Sequence, residues 1–286
     1  MSRTRPTSRR PAPPLCRDKH LLYEAAVQEV DDDIRFMRRI YARHRGRPLA
    51  FLREDFCGTA KLAARFVSMN PSHHALGVDI DPEPLDWGLR HHVHRTGEAG
   101  LRLKLLRDDV LAVHRPAADA VCAFNFSYFL FRTRESLRAY FTSARRSLKS
   151  DGLLFLDAFG GLASMTTTKD TRSIPDGHDP DGHPLPPYIY EWEHAHFDVL
   201  THHLTCHIHF ELKDGSRLDR AFTYHWRLWS LPELRELLLE AGFDRVEIYT
   251  HGFDDMGESD SRWRQRKHYE NEDGWLAYLV AIKDPR

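Results

Sequence analysis

Apolar and polar positions divide the chain into three regimes. From 49 to 157, short apolar runs at 49–52, 76–80, 120–124 and 153–156 recur between helical stretches, and Leu101, Leu103 and Leu105 add an alternating strand. Runs apolar on both faces predict strands of a parallel sheet covered on both sides, with helices between them at 82–96 and 133–148. From 160 to 187 the chain is rich in Thr, Asp, Gly and Pro without a period, which reads as a long loop. Alternation then returns at 188–197, 204–212 and 217–226, with Asp214-Gly215 as a turn signal, predicting an antiparallel meander. Ser230 with Glu233 forms a capping box ahead of Leu234, Leu237 and Leu238, and Gly242 stops that helix. Two last strands, 246–249 and 275–281, flank a charged loop.

Ahead of the first strand, 19–44 is helical in two pieces. Asp31 or Asp32 caps the second, whose Ile34, Met37, Ile40 and Tyr41 share a face. The first piece, 22–28, reads as a packing helix or as a lid over the unit at 49–81. The expected fold class is therefore α/β, doubly wound and Rossmann-like, with a mainly parallel sheet, an antiparallel β insertion and an N-terminal helical lid. The expected division is a basic arm at 1–18, the lid at 19–46, an α/β core at 47–159, a loop and insertion at 160–229 on the substrate side, and the rest of the core at 230–286.

Composition narrows the partners. With 286 residues, 41% hydrophobic and 29% charged, the chain can bury one large core or two modest ones. Its 41 Lys and Arg nearly balance 42 Asp and Glu, so the net charge of −1 gives no reason to expect nucleic acid or a membrane. Cys16, Cys57, Cys122 and Cys206 lie far apart without CxxC spacing, which fits a reducing cytoplasm and argues against a disulfide framework or cysteine zinc site. No apolar run reaches the length of a membrane span. The first 17 residues carry five arginines, four prolines and no acid, a composition for a mobile arm, and the prolines argue against an amphipathic targeting helix.

The candidate chemistry gathers at 49–81. A strand, a turn through Arg53-Glu54-Asp55-Phe56-Cys57-Gly58-Thr59-Ala60, a helix and a second strand ending at Asp79-Ile80-Asp81 make a βαβ unit that places a ligand at the strands' carboxyl ends. These residues, with the stretches Leu22-Tyr23-Glu24 and Thr223-Tyr224-His225-Trp226-Arg227, resemble the class I S-adenosylmethionine-dependent methyltransferases over roughly 20–283, and in particular bacterial small-molecule members of uncertain substrate. Phe56 and Ala60 depart from that family by standing where it usually has glycine.

The resemblance implies that S-adenosyl-L-methionine is the cofactor. Glu54 would organise its methionine end, with Phe56, Cys57, Gly58 and Thr59 forming the turn. Asp79 would hold the ribose hydroxyls, Ile80 would pack on adenine, and Asp109 or Asp108 would accept from the adenine amino group. Asn125 and Phe126 would line the transfer side. Elementary chemistry points the same way: a sulfonium and an ammonium want carboxylates, whereas a pyrophosphate wants glycines and little negative charge, so Glu54 and Asp55 disfavour NAD. The chemistry expected is in-line methyl transfer to oxygen or nitrogen of a small-molecule acceptor, where alignment supplies much of the catalysis. An RNA methyltransferase, an NAD-dependent oxidoreductase and a catalytically silent cofactor-binding protein are the rival readings. The sequence specifies neither the acceptor nor the oligomeric state.

Acceptor and base candidates lie largely in the insertion. His203, Thr205, His207 and His209 alternate with Leu204, Cys206, Ile208 and Phe210, so the histidines share one strand face. That stripe reads first as solvent-facing, then as a wall of the site, and least as a metal centre; no metal site is assigned. His207, His209 and Tyr23 are the candidate bases, although no base is obligatory. Tyr23, Tyr128, Tyr190, Trp192 and Arg227 are the substrate candidates. The run 262–267, Arg-Trp-Arg-Gln-Arg-Lys, is flanked by acids and reads as a solvated loop.

Overall fold

A computed structural model describes residues 17–179, 182–252 and 262–285. The basic arm, apart from Arg17 and Asp18, lies outside the described residues. Asp18 caps α1 (Lys19–Val27) by accepting from the backbone of His20 at 2.9 Å and Leu21 at 3.2 Å. α2 (Val30–Arg45) starts before the expected aspartate cap, so Asp31, Asp32 and Asp33 fall in its first turn, at the positive end of the helix dipole. Then come β1 (Phe51–Asp55), α3 (Lys61–Ser68), β2 (His74–Asp79), α4 (Pro82–Gly88), β3 (Leu103–Arg107), β4 (Ala118–Ala123), α5 (Arg134–Ser147) and β5 (Leu148–Gly160). The second half holds β6 (Thr168–Ile174), the ribbon β7 (Gly177–His178) and β8 (Pro184–Leu185), β9 (Tyr188–Phe197), β10 (His203–Leu212), β11 (Arg217–Arg227), α6 (Leu231–Glu240), β12 (Arg245–Thr250), β13 (Arg264–Gln265) and β14 (Trp275–Ile282).

The large sheet runs β13-β12-β14-β5-β4-β1-β2-β3. Strands β3, β2, β1, β4 and β5 are parallel, and β14, β12 and β13 are antiparallel to their neighbours. Because β1 pairs with β2 on one side and β4 on the other, the strand order reverses at β1, the switch point where open α/β sheets bind ligands. Both faces are covered. On β5, Leu154 and Leu156 join the core against α5 and α6, while Leu153 and Phe155 join the core against α2 and α3.

Three expectations need correction. β1 does not stop at Leu52 but carries Arg53, Glu54 and Asp55 into the sheet, because Arg53 and Asp55 pair at 2.6 Å with both side chains fully buried. The α-helix after Pro82 ends at Gly88 and continues as a wider π turn (Leu89–Val93) and then 3-10 turns to Arg102, broken at Gly97 with φ 57°. The expected loop at 160–187 contains β6, the edge of a second sheet ordered β11-β10-β9-β6. β6 reads Thr-Lys-Asp-Thr-Arg-Ser-Ile and is largely exposed, so it has no apolar period, and its charges suit an unpaired edge.

The second sheet is held to the first half of the chain. Leu22 and Ala26 of α1 share an apolar cluster with Tyr188, Tyr190, Ile208 and Phe210, and the Tyr188 hydroxyl donates to the Leu22 carbonyl at 2.6 Å. On its other side α1 meets the turn after β1. Thr59 donates to Glu24 at 2.5 Å, the His92 Nε2 lies 2.7 Å from the same carboxylate, and Lys61 donates to the Glu24 carbonyl at 2.9 Å. α1 therefore bridges the two sheets.

Candidate active site at the strand ends

A cleft opens over the carboxyl ends of β1, β2 and β4, with about 1060 Å³ of free space when its open mouth is counted. One wall is α1 and the start of α2, through Lys19, His20, Tyr23 and Asp33. The floor is Glu54 through Thr59, with Asp79 beside it and Asn125 opposite.

The floor turn solves a backbone problem without the usual glycines. Phe56 at φ 55° and Ala60 at φ 56° both occupy the left-handed region, as Gly58 does at 52°. Each non-glycine residue there costs about 1–2 kcal/mol. The surroundings hold the turn in place. The Phe56 ring packs against Tyr140 at 5.3 Å and Phe131 at 6.1 Å, and Ala60 is wholly buried. The Gly58 backbone N–H donates to Asp79 Oδ2 at 2.8 Å, and the other Asp79 oxygen accepts from Asp81 at 2.9 Å. Gly88 lets α4 come close: a Cβ there would stand 2.0 Å from the Thr59 carbonyl oxygen. Gly88→Ala is therefore expected to displace the turn and cost about 2–3 kcal/mol of stability in urea unfolding, the upper range for overpacking.

The cleft is acidic. Burial pushes the Glu54 carboxyl up to about 8, although the Ala63 backbone N–H donates to it at 3.0 Å. Burial also raises Asp33 to about 6, against the opposing hydrogen bond from the Tyr278 hydroxyl. Burial raises Asp79 too, beyond what its backbone donors offset. Behind the wall, Asp157 is pushed up to about 8 by burial and accepts from the backbones of Asn125 at 2.7 Å and Phe126 at 3.0 Å. Those two residues are also left-handed, so Asp157 fixes the strained turn after β4. A cation entering the cleft would compensate these carboxylates.

A second cavity, with about 760 Å³ of free space when its open mouth is counted, adjoins the first and shares Tyr23, Asn125 and Tyr224 with it. Phe126, Phe159, Tyr190, Trp192 and Trp226 give it aromatic walls, and Asp170 and Arg172 of β6 supply its charges.

Of the residues singled out from sequence, Glu54, Phe56, Cys57, Gly58, Thr59, Asp79 and Asn125 line the cleft. Phe126, Tyr190 and Trp192 line the second cavity, and Tyr23 lines both. Ile80 is 69% exposed and, like Asp108 and Asp109, lies outside both sets of lining residues. Asp108 accepts from the Asp109 backbone at 2.8 Å, and Asp109 from that of Leu111 at 2.9 Å, so both shape the turn after β3. Tyr128 is a core residue, fully buried and donating to the Asp157 carbonyl at 2.7 Å. Arg227 lies 3.8 Å over the Trp229 ring and donates to Glu233 at 3.0 Å, so it too lines neither cavity.

His207 and His209 are outside both cavities as well. They are buried rather than solvent-facing, because polar and charged neighbours cover them: His209 lies 2.9 Å from Glu193 and 2.8 Å from Asp219, and His207 bonds Thr223 at 2.9 Å. Among the described residues, no group of three or more His, Cys, Asp or Glu is arranged to hold a metal ion. No described helix is long and apolar enough to cross a membrane. Sequence reasoning misses Asp33, Phe159, Asp170, Arg172 and Phe222, which reach the cavities from elements distant in the chain. The one signal in the sequence is the acidic run at 31–33, whose simplest meaning is a helix cap.

No protein-family profile matches the chain, and no curated protein matches it in sequence. Solved structures do match in shape. An S-adenosylmethionine-dependent methyltransferase from Clostridium acetobutylicum superposes with a TM-score of 0.64 at 15% identity, covering 91% of this chain and 96% of that one. An amino pentose methyltransferase from Micromonospora echinaspora, solved with S-adenosylmethionine bound, gives 0.64 at 14% identity, covering 92% and 95%. A sugar N-methyltransferase from Streptoalloteichus gives 0.62 at 14% identity, covering 99% and 100%. The chain shares the fold of these proteins along nearly its whole length.

Proposed function

We propose that the protein is an S-adenosylmethionine-dependent methyltransferase acting on a small-molecule acceptor at nitrogen or oxygen. The observation that carries this reading is the acidic cleft at the sheet's switch point, joined to a separate aromatic cavity. The first suits a cationic nucleoside cofactor, and the second an acceptor aligned with it. The shared fold, and the methyltransferases that have it, support the same assignment. Glu54, Asp33 and the turn 56–59 would hold the methionine end, and Asp79 the ribose. Ile80 with Asp108 or Asp109 would meet the adenine beyond the mouth of the cleft.

When bound, the cofactor supplies an activated methyl group on a sulfonium, itself a good leaving group. The chain's task is then to hold both partners in line and exclude water. α1 contributes to both, since it walls the cleft with His20 and Tyr23 and is pinned to the turn through Glu24. Transfer of a labelled methyl group from S-adenosylmethionine into a metabolite extract tests the activity. Bound cofactor with no labelled product would leave a binding protein without transferase function.

The raised carboxyls make a second expectation. A carboxyl whose value is raised in the folded chain retains a proton that the unfolded chain has already lost. From the ordinary value of 4.5 up to about 8, Glu54 therefore makes the ligand-free protein less stable as pH rises. A cation beside Glu54 and Asp33 favours their ionised forms, so binding should release protons. Affinity for S-adenosylmethionine is expected to rise between pH 6 and 7.5, by up to about tenfold per pH unit for each proton released. That window lies below the titration of an α-amino group. Calorimetry in buffers of different ionisation enthalpy measures the release. Flat affinity with no proton release would remove these carboxylates from the binding role.

A further inference from the structure

The second cavity is built from groups that recognise positive charge. Tyr224 stacks on Trp226 with ring centres 4.4 Å apart, and Trp192 stands 5.9 Å from Tyr224 and 6.0 Å from Trp226. Three electron-rich rings thus converge on one space, the arrangement by which proteins cage ammonium groups. Asp170 stands directly across the strand pair from Trp192 and brings a carboxylate to the same cavity. It is exposed and, among the described residues, its side chain forms no hydrogen bond or ion pair. The other charge, Arg172, is engaged, lying 4.8 Å over the Tyr190 ring and donating to the Ala26 carbonyl at 3.3 Å.

The junction between the cavities limits the chemistry further. The residues common to both are Tyr23, Asn125 and Tyr224. Burial holds both phenols protonated, so neither takes a proton from a hydroxyl at neutral pH. Among the described residues no imidazole lines the second cavity, and the candidate bases His207 and His209 lie elsewhere. An alcohol or phenol would therefore find no base among the three residues of the junction. A free amine needs none, because its lone pair is already available. The Asn125 carboxamide, on a backbone fixed by Asp157, lines the junction and offers an oxygen to an amine N–H.

We propose that the acceptor is a primary or secondary amine, captured as an ammonium between Trp192, Tyr224 and Asp170 and oriented by Asn125. This rests on the methyltransferase reading and narrows its acceptor class. The captured ammonium gives one proton to Asp170 or to water at the mouth. The freed nitrogen lone pair then forms the N–C bond as the C–S bond breaks with its electron pair staying on sulfur, and the methylated ammonium loses its extra proton to water. Asp170 acts as the counter-charge and Asn125 as a positioning residue.

Binding to the full chain without cofactor tests this, read from the fluorescence of Trp192 and Trp226 against a Trp192→Phe control. Benzylamine, benzyl alcohol and benzoate serve as cationic, neutral and anionic probes at pH 7.5. Benzylamine is expected to bind at least about tenfold more tightly than benzyl alcohol, the scale of one caged charge. Asp170→Asn should shrink that preference about threefold, the rings still favouring the cation, while leaving S-adenosylhomocysteine affinity unchanged. Asp170 is exposed on an edge strand, so the variant should fold. Benzyl alcohol or benzoate binding as tightly as benzylamine would overturn the proposal, the latter by assigning the cavity to anions through Arg172. Titration of S-adenosylhomocysteine into the same preparation separates the two failures. If it binds and benzylamine shows no preference, the amine inference alone falls; if it does not bind, the methyltransferase reading falls with it.

Discussion

Asp79→Ala is expected to weaken S-adenosylmethionine binding about 100-fold, close to 2.7 kcal/mol. The carboxylate does two things at once. It faces the cleft, and it holds the floor turn by accepting from Gly58 at 2.8 Å and Asp81 at 2.9 Å. Hydrogen bonds to a charged group contribute roughly 1.5–3 kcal/mol each, so losing the ligand contact together with the turn's anchor reaches this size. Gly58 is left-handed and sits between two other left-handed residues, which gives the turn little reason to keep its shape once the anchor is gone. Asp79→Asn keeps one oxygen acceptor and should fall between the alanine variant and the parent. Alanine-variant affinity within about threefold of the parent would remove Asp79 from the ribose role.

Arg53→Met should destabilise the fold more than Gly88→Ala does, by about 3–5 kcal/mol in urea unfolding, the usual cost of breaking a buried pair from one side. Arg53 is fully buried under the cleft floor. Its guanidinium donates to Asp55 at 2.6 Å, to Ser147 at 2.7 Å, to the Val110 carbonyl at 3.1 Å and to the Val113 carbonyl. It therefore ties the end of β1 to α5 and to the chain after β3. Without it Asp55 keeps, among the described residues, only the Tyr140 hydroxyl at 3.1 Å as a side-chain partner, and two carbonyls lose a donor. The double variant Arg53→Met, Asp55→Leu should recover part of the loss, because an apolar pair leaves no buried charge behind. A loss below about 1 kcal/mol in the single variant would show that the pair does not anchor β1.

Most of the sheet was legible in the sequence for a simple reason. Strands buried on both faces are mostly apolar, so 120–123 of β4 and the centre of β5 announce themselves. The half-buried β9, β10 and β11 show their alternation, and their ends fall within one residue of the expected positions. The capping box at Ser230 and Glu233 forms as expected, with Ser230 accepting from the Glu233 backbone. What escaped was structure that tertiary contacts decide. Arg53 and Asp55 resemble a strand's polar end because the groups that surround them lie across the chain. β6 buries no face and carries no period.

The site divides in the same way. The turn 54–59 and Asp79 are local to one βαβ unit and can be read from it. Asp33 reaches the cleft from α2, and Asp170 and Arg172 come from β6, by packing that no local pattern encodes. The histidine stripe stands out by composition, yet neighbours bury His207 and His209 in polar contacts that line neither cavity. Phe56 and Ala60 are instructive too. Their side chains signal a departure from the glycine pattern, while the backbone adopts the glycine conformation regardless.

The central claim is that the cleft between β1, β2 and α1 holds a cationic nucleoside cofactor. Calorimetric titration of S-adenosylmethionine, with NAD in parallel, into the full folded chain tests it most directly. One saturable site for S-adenosylmethionine, proton release on binding, and no heat from NAD are the predicted results. Well-folded protein that gives no binding signal for S-adenosylmethionine, or that binds NAD in its place, would contradict the claim.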